Sequence, residues 1–330
     1  MSTNTLDFTR WVEAPLGVAY RRWVITSTGL RQLFRTRFFR ILLFLAWTAG
    51  VVMAAAGFLF SQSIASGGWI ENFAANFGPR FQAVVSAFTA FVLLYPDIVV
   101  EGLFTLIFWA HSFLGLGLSL VALTVLVPRL VTRDRASNAL TIYLARPLTS
   151  GDYLLGKFGI IVGVLLAVWT GPLLFGWLLS VLFAPDRIFI VHSLQPLLRA
   201  LLFNGLSLVV LAAVAFGVSS LTKTSRATTF LWIGLWIVMG ALADIPPMPT
   251  WVRHASFSHD LKVARDAVFA LDEALLAAGQ SLPFLNQQMA QGLQEASTRV
   301  QPQDLPHALT GLAVLIALSF LVFFRKLKPE

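Results

Sequence analysis

The chain has 330 residues, of which 57% are hydrophobic and only 12% are charged. Because ordinary globular domains carry about 25% charged residues, this composition excludes a soluble protein with a solvated surface. The apolar residues suffice for roughly six membrane spans of about 20 residues each. The lack of cysteine excludes disulfide bonds and thiolate metal sites. The net charge of +8 indicates membrane orientation rather than nucleic-acid binding, since basic residues accumulate in cytoplasmic loops.

The first 38 residues are predicted to form a cytoplasmic amphipathic helix in the lipid headgroup layer. Arg31 and Arg35 fall on one face of this helix. Apolar residues recur on another face at spacings near three and four: Trp23, Leu30, Leu33, Phe34, Phe38 and Ile41. A plain basic flank without a further role is the alternative. Because arginines precede the first long apolar run, we expect no cleavable signal peptide and a cytoplasmic amino terminus.

Six membrane spans are predicted, and the distribution of positive charge sets their orientation. With six spans, 17 of the 24 lysines and arginines fall on the side of the amino terminus. Both termini are therefore expected in the cytoplasm, and the predicted fold class is an all-α polytopic membrane protein. The predicted spans are Phe39 to Phe60, Leu103 to Val127, Leu154 to Phe183, Leu197 to Leu221, Thr228 to Ile245 and Ala308 to Phe324.

Two outer segments are predicted not to cross the bilayer. Phe81 to Leu94 is apolar but has only about 14 residues, so we expect an outer interfacial helix. Residues 246–306 show helical periodicity from Leu261 to Ala278 and from Leu285 to Leu293. This extracytoplasmic segment predicts two amphipathic helices, which either pack on the bundle or bind an outer partner.

Polar residues inside the predicted spans are candidates for lining a transport pathway or for joining helices. They are His111, Ser112, Ser119, Asn204 and Ser207. Gly171 and Pro172 predict a bend in the third span, because proline lacks a backbone N–H. His254 and His259 form a weak metal motif, for which solvated surface histidines are the preferred alternative. The sequence assigns no catalytic, cofactor-binding or metal-ligating residue.

The loop between the second and third spans, residues 129–153, carries the most specific pattern in the chain. A short helix must end before Pro147, because the residue before a proline avoids helical geometry. Thr149 and Asp152 then match a capping box, which predicts a second helix that continues into the third span. A force on this loop would therefore reach the third span. A basic hairpin that only fixes orientation is the alternative.

The loop and the span pattern together resemble the permeases of type-2 ABC (ABC-2) transporters. The resemblance rests on Arg133-Asp134, on the run Tyr143 to Thr149 and on the run Tyr153 to Lys157. In that family such a loop docks on a separate ATP-binding subunit, and two permease halves form the pathway. The resemblance implies two parts of the chain, the amphipathic helix in residues 1–38 and the six-span permease in residues 39–330. It places the ATPase-coupling interface at Arg133, Asp134, Arg135, Tyr143, Arg146 and Pro147.

The resemblance further implies a dimeric permease subunit of an ABC exporter in a bacterial-type inner membrane. Its expected partners are a second permease copy or a paralogue, two ATP-binding subunits and the lipid bilayer. The chain has no GxxxxGK[ST] phosphate-binding loop, so ATP and Mg²⁺ are expected in the partner subunit and no cofactor in this chain.

Two other functions are the alternatives. An ion-coupled secondary transporter requires carboxylates near mid-membrane, whereas Asp97, Glu101 and Asp244 lie at predicted outer boundaries. A non-transporting membrane scaffold would recruit an outer partner through residues 246–306.

Overall fold

The structure, a computed structural model, describes residues 17–64, 69–137, 149–184, 187–244, 253–271, 273 and 304–327. In these residues the regular secondary structure is entirely helical, which confirms the predicted all-α fold. The helices are α1 (Val18–Phe34), α2 (Arg37–Ile64), α3 (Trp69–Ala75), α4 (Pro79–Leu94), α5 (Pro96–Leu130), α6 (Thr132–Ala136), α7 (Ser150–Leu165), α8 (Gly171–Leu182), α9 (Ile188–Leu221), α10 (Ser225–Asp244), α11 (Phe257–Phe269) and α12 (Asp304–Leu327).

Six segments of the described chain are long and apolar enough to cross a membrane, as predicted. They are α2, α5, α7 with α8, α9, α10 and α12. The second span begins at Pro96 rather than at the predicted Leu103, because the fixed φ of proline suits the first turn of a helix. α4 has 16 residues, which is too short for a span and agrees with the prediction for this segment.

Successive spans alternate in direction, so one end of the bundle gathers the last turns of α5, α9 and α12 and the first turns of α7 and α10. Helix α6 lies among these turns, and this end is called the α6 end. Helix α11 packs mainly against α9, α10 and α12 on the opposite half of the bundle, which is called the α11 end.

The third span contains a π-helical turn, Leu166–Thr170, directly before Gly171 and Pro172. The Gly171 N–H bonds to the Leu166 carbonyl, five residues back. In the same register, the Ala167 carbonyl would need a donor from Pro172, which has no N–H. The indole nitrogen of Trp47 in α2 donates to this carbonyl instead, at 3.1 Å. The bend predicted at Gly171-Pro172 is therefore a π turn. The Ala167 carbonyl, which Pro172 leaves without a backbone donor, is bonded by a neighbouring span.

Helix α1 lies within the predicted amino-terminal segment and packs along α7, whereas residues 1–16 lie outside the described residues. The predicted location in the headgroup layer stays a prediction. A Cβ on Gly159 would overlap the side chain of Thr26, and Gly156 and Gly163 approach α1 just as closely. The Thr26 hydroxyl also donates to the Gly156 carbonyl at 2.8 Å. Glycines at this spacing let the two backbones approach. The first turns of the third span are therefore joined to α1.

Helix α11 belongs to the predicted outer segment, residues 246–306, and it packs on the bundle. Ser256 caps its first turn by accepting a hydrogen bond from the His259 N–H. Leu261, from the predicted apolar stripe, is buried. Packing on the spans is one of the two alternatives that the periodicity left open. The second predicted helix, Leu285 to Leu293, lies outside the described residues.

Candidate functional site

The α6 end of the bundle is held by an ion pair between α6 and the third span. The Asp134 carboxylate lies 2.7 Å from Lys157 Nζ, and the Tyr153 hydroxyl lies 2.8 Å from the same carboxylate. Tyr153 and Lys157 are four residues apart in α7 and therefore share one helix face. The side chains of Lys157 and Asp134 are only 10% and 16% exposed. Such a shielded pair fixes the position of α6 relative to α7.

A buried hydroxyl network ties the start of α6 to two further spans. The Thr132 hydroxyl donates to the Ser219 carbonyl of α9 at 2.8 Å. It also lies 3.0 Å from the Thr228 hydroxyl of α10, and the Val131 N–H donates to Ser219 Oγ at 3.0 Å. Thr132, Ser219 and Thr228 are fully buried. Because buried hydroxyl groups are costly to separate from their partners, this network holds α6, α9 and α10 together.

Arg135 connects α6 to the carboxyl ends of two spans. One terminal guanidinium nitrogen donates to the Ser220 carbonyl of α9 at 3.0 Å, and the other donates to the Lys326 carbonyl of α12 at 2.8 Å. Carbonyls in the last turn of a helix lack intrahelical donors and carry partial negative charge. The Arg135 guanidinium satisfies two of them at once. Four spans, α7, α9, α10 and α12, are therefore bonded to one short helix.

The capping box predicted at the start of α7 is confirmed. The Thr149 hydroxyl accepts from the Asp152 N–H at 3.1 Å, and the Asp152 carboxylate accepts from the Thr149 N–H at 3.1 Å. Arg22 of α1 forms an ion pair with the same carboxylate, to which its Nε donates at 2.8 Å. One carboxylate therefore caps α7 and holds α1 against it.

A cavity of about 430 Å³ opens between α1 and the adjoining ends of α5 and α7. Its lining includes Arg129 and Arg133 besides the Asp134–Lys157 pair. Among the described residues, no carboxylate lies within ion-pair distance of Arg129 or Arg133. This surface is therefore positively charged, and its unpaired guanidinium groups can receive acidic groups from outside the chain.

The predicted coupling residues fall into three groups. Arg133 is exposed. Asp134 and Arg135 bond to other helices of the same chain. Tyr143, Arg146 and Pro147 lie outside the described residues.

Sequence reasoning missed the partners of these residues. Tyr153 and Lys157 belong to the motif on which the family resemblance rests, and a lysine two turns inside an apolar helix also signals a need for a carboxylate. The role of Arg22 carries no such local signal, because it depends on the packing of α1.

The five polar candidates inside the spans are all buried between helices of one chain. His111 Nε2 lies 3.5 Å from the Trp169 carbonyl, and Asn204 Nδ2 donates to the Thr170 hydroxyl at 3.4 Å. Both partners belong to the π turn. The Ser112 hydroxyl bonds within its own helix, and the hydroxyls of Ser119 and Ser207 have no hydrogen-bond partner among the described residues. A role of these five residues in a pathway stays a prediction.

His254, His259 and His307 gather near Asp260 at the α11 end. His254 Nδ1 lies 2.6 Å from Asp260 Oδ1, and the His254 ring packs against the rings of His259 and His307. Asp260 is buried, so His254 is a bonded partner rather than a solvated surface residue. In the parts of the chain that the structure describes, no group of three or more potential ligands is placed to hold a metal ion.

Six apolar helices define a multi-pass membrane protein, and a family comparison defines its class. The family described as ABC-2 family transporter protein matches residues 118–326, which is more than half of the chain. The match runs from α5 to α12 and includes the whole of α6. A comparison with curated proteins found no match.

The chain therefore belongs to the ABC-2 transporter family. It is the permease component of an ABC transporter, a class that associates with an ABC ATP-binding subunit.

Proposed function

We propose that this chain is the membrane half of an ABC exporter that is driven by ATP hydrolysis in a separate subunit. Two permease chains, identical or paralogous, form the substrate pathway, and two ATP-binding subunits dock on their α6 ends. ATP and Mg²⁺ bind in those subunits, and this chain has neither an ATPase site nor a resident cofactor. Docking occurs in the cytoplasm, so the chain lies in a bacterial-type inner membrane with both termini inside.

The distribution of charge supports this orientation. Basic residues concentrate at the α6 end, where the cavity between α1, α5 and α7 carries two arginines that pair with no carboxylate of the described residues. Short loops rich in lysine and arginine remain on the cytoplasmic side. The same charge is complementary to an acidic docking surface on the ATP-binding subunit. Arg133, which is exposed, is the described residue through which we expect direct contact.

The Asp134–Lys157 ion pair is the observation that carries the coupling proposal. A subunit that moves α6 must also move α7, because separating the pair would leave a charge in a poorly hydrated site. The bonds of Thr132 and Arg135 extend the motion to α9, α10 and α12. ATP binding can drive the permease only if the ATP-bound subunit prefers one arrangement of these helices over the other.

The dimer is supported by the uneven burial of the spans. In the most apolar window of each span, 67% of α9 is buried within the chain but only 11% of α10. Phe230 and Ile237 on α10 are among the most exposed large side chains. A second permease chain would cover part of this apolar surface, and lipid would cover the rest. An outer partner for residues 246–306 remains a separate proposal.

Co-purification tests the docking surface. Arg133→Glu reverses an exposed charge at the α6 end, and Arg80→Glu reverses one on α4, far from α6 in the chain. We expect Arg133→Glu to reduce the co-purified ATP-binding subunit by about tenfold, as for a lost charge-assisted contact. Arg80→Glu should leave it unchanged. Equal recovery with both variants, at wild-type membrane insertion, would place docking elsewhere.

A further inference from the structure

An apolar cavity of about 370 Å³ lies between α5, α9, α10 and α11, away from the α6 end. Its size falls in the range of about 300–1,000 Å³ that is common for small-molecule sites. Most of its wall is hydrocarbon or aromatic, formed by Leu116, Leu120, Phe203, Trp236, Ile237 and Leu261. The cavity therefore suits the apolar body of a ligand.

The length of α5 places the cavity at the depth expected for the hydrocarbon region, below α11. A span of about 20 residues crosses the bilayer core, so a core that starts near Arg129 ends near Trp109. Leu116 and Leu120 fall inside this interval. The Arg265 side chain of α11 lies over the Phe113 ring, 3.6 Å from its centroid, and 5.7 Å from that of Trp109. Arg265 is thus near the outer boundary, and the apolar walls extend inward from it.

Positive charge is concentrated at this outer rim. Lys262 is exposed and Arg265 is 5% exposed, and both line the cavity. Asp266 accepts from Arg265 Nε at 3.1 Å and also from the Trp109 indole at 3.3 Å. None of the described residues accepts a hydrogen bond from the terminal guanidinium nitrogens of Arg265. These two cations and one carboxylate give the rim a net charge of about +1.

Two hydrogen-bond donors at the cavity lack partners as well. The Ser258 hydroxyl and the Trp236 indole nitrogen are buried and have no hydrogen-bond partner among the described residues. Both residues line the cavity. Ser258, Lys262 and Arg265 follow one another at spacings of four and three, which places them on one face of α11. Buried donors are costly unless an acceptor is present, and an anionic group at this face of α11 would bring an acceptor close to Ser258.

We propose that this cavity binds a single-chain amphiphilic anion, such as a fatty-acid carboxylate. The anionic group lies between Lys262 and Arg265, and the hydrocarbon chain extends along Leu116 and Leu120. This inference rests on the proposed transport function, because it names the class of substrate that the permease would carry. The cavity volume is closer to that of one hydrocarbon chain than to that of the two chains of a membrane phospholipid.

Quenching of tryptophan fluorescence tests binding directly. The purified full chain is reconstituted in nanodiscs of zwitterionic lipid and titrated with dibrominated stearate, whose bromines quench nearby indoles. We expect saturable quenching that is largely absent in Trp236→Phe, since that residue is in the cavity wall. The methyl ester of the same acid, compared at equal membrane concentration, should bind about tenfold more weakly because it lacks the charge.

Two glycines of α10 provide a matched pair of variants. Gly240 lines the cavity and Gly234 does not, and a Cβ at either position would meet no atom within 4 Å. Gly240→Leu should abolish the saturable quenching, and Gly234→Leu should preserve it. Lys262→Gln, which changes an exposed residue, should weaken stearate binding by about fivefold.

Several results would overturn the inference. One is equal quenching by the ester and the acid, and another is equal behaviour of Gly240→Leu and Gly234→Leu. A third is quenching by a dibrominated phosphatidylcholine that equals quenching by the acid, which would indicate a site for membrane lipid. The titration contains no ATP-binding subunit, so its outcome is independent of the docking test with Arg133→Glu. Binding without docking would contradict the proposed function, and docking without binding would contradict only the substrate class.

Discussion

The two halves of the bundle each contain an ion pair between helices, and these two pairs differ. At the α6 end, Asp134 and Lys157 are 2.7 Å apart and little exposed. Toward the other half, the ion pair between Arg199 and Glu101 measures 3.8 Å, and each side chain is about a quarter exposed. There, α11 covers a cavity whose lining includes two donors with no hydrogen-bond partner in the described part of the chain. The Arg199–Glu101 pair is therefore the weaker link of the two, which agrees with the proposals that place coupling at the α6 end and ligand binding in the α11 half.

The two ion pairs provide the largest expected difference in stability. Asp134→Ala leaves the Lys157 ammonium without its carboxylate in a poorly hydrated site, which we expect to cost about 3 kcal/mol of unfolding free energy. Glu101→Ala should cost less, about 1 kcal/mol, because its pair is longer and more exposed than the Asp134–Lys157 pair. Thermal unfolding of the two purified variants in the same detergent measures the difference. Equal losses of unfolding free energy in the two variants would show that the two ion pairs do not differ in strength.

The contact between α1 and α7 predicts a smaller effect. Gly159→Val places methyl groups against Thr26, and overpacking of this kind costs about 1–3 kcal/mol. We expect α1 to detach and trypsin to cleave faster at its arginines. Gly205→Val, in α9, is the control, because a Cβ there meets no atom within 4 Å. If both variants resist trypsin like the wild type, the close approach of α1 does not hold it in place.

Asp260 predicts a modest pH dependence at the α11 end. Burial raises its pKa from 3.8 to about 6, and the hydrogen bond from His254 partly opposes this shift. Because the folded protein holds this proton more tightly, the contribution to stability is full below about pH 4 and is lost as the pH rises through about 6.

Asp260→Asn should remove this contribution. The fall of the unfolding temperature from pH 4 to 7 should be shallower in the variant than in the wild type. Burial lowers the pKa of the neighbouring His259, and its effect has the opposite sign. Both proteins contain His259, so the difference between their two curves removes the His259 contribution that they share. Parallel curves would show that Asp260 keeps its ordinary pKa.

The helical framework followed from the sequence because a bilayer imposes strong constraints on it. Each span must be apolar over about 20 residues, so composition alone located all six. The capping box at Thr149 and Asp152 could also be predicted from the sequence, since it depends on residues three positions apart. The irregular turn was expected at Gly171-Pro172, but its π register depends on a hydrogen bond from Trp47, about 120 positions away.

The arrangement of the candidate sites needed tertiary structure. Asp134 was selected by a family resemblance, yet its partner Lys157 is 23 positions away, and only the turn between the helices brings them together. The packing of α1 depends on the glycines of α7. Glycine is common in membrane-spanning helices, so these residues did not predict the contact. The cavity at Arg265 has no sequence signal, because its wall comes from four helices.

The central claim is that the Asp134–Lys157 pair transmits the action of the ATP-binding subunit to the third span. A charge-exchange cycle tests it most directly, with Asp134→Lys, Lys157→Asp and the double variant each assembled with the ATP-binding subunit. We predict that each single variant lowers permease-stimulated ATP hydrolysis by about tenfold or more and that the double variant restores most of it, because the attraction is re-formed. Wild-type stimulation in both single variants would contradict the account.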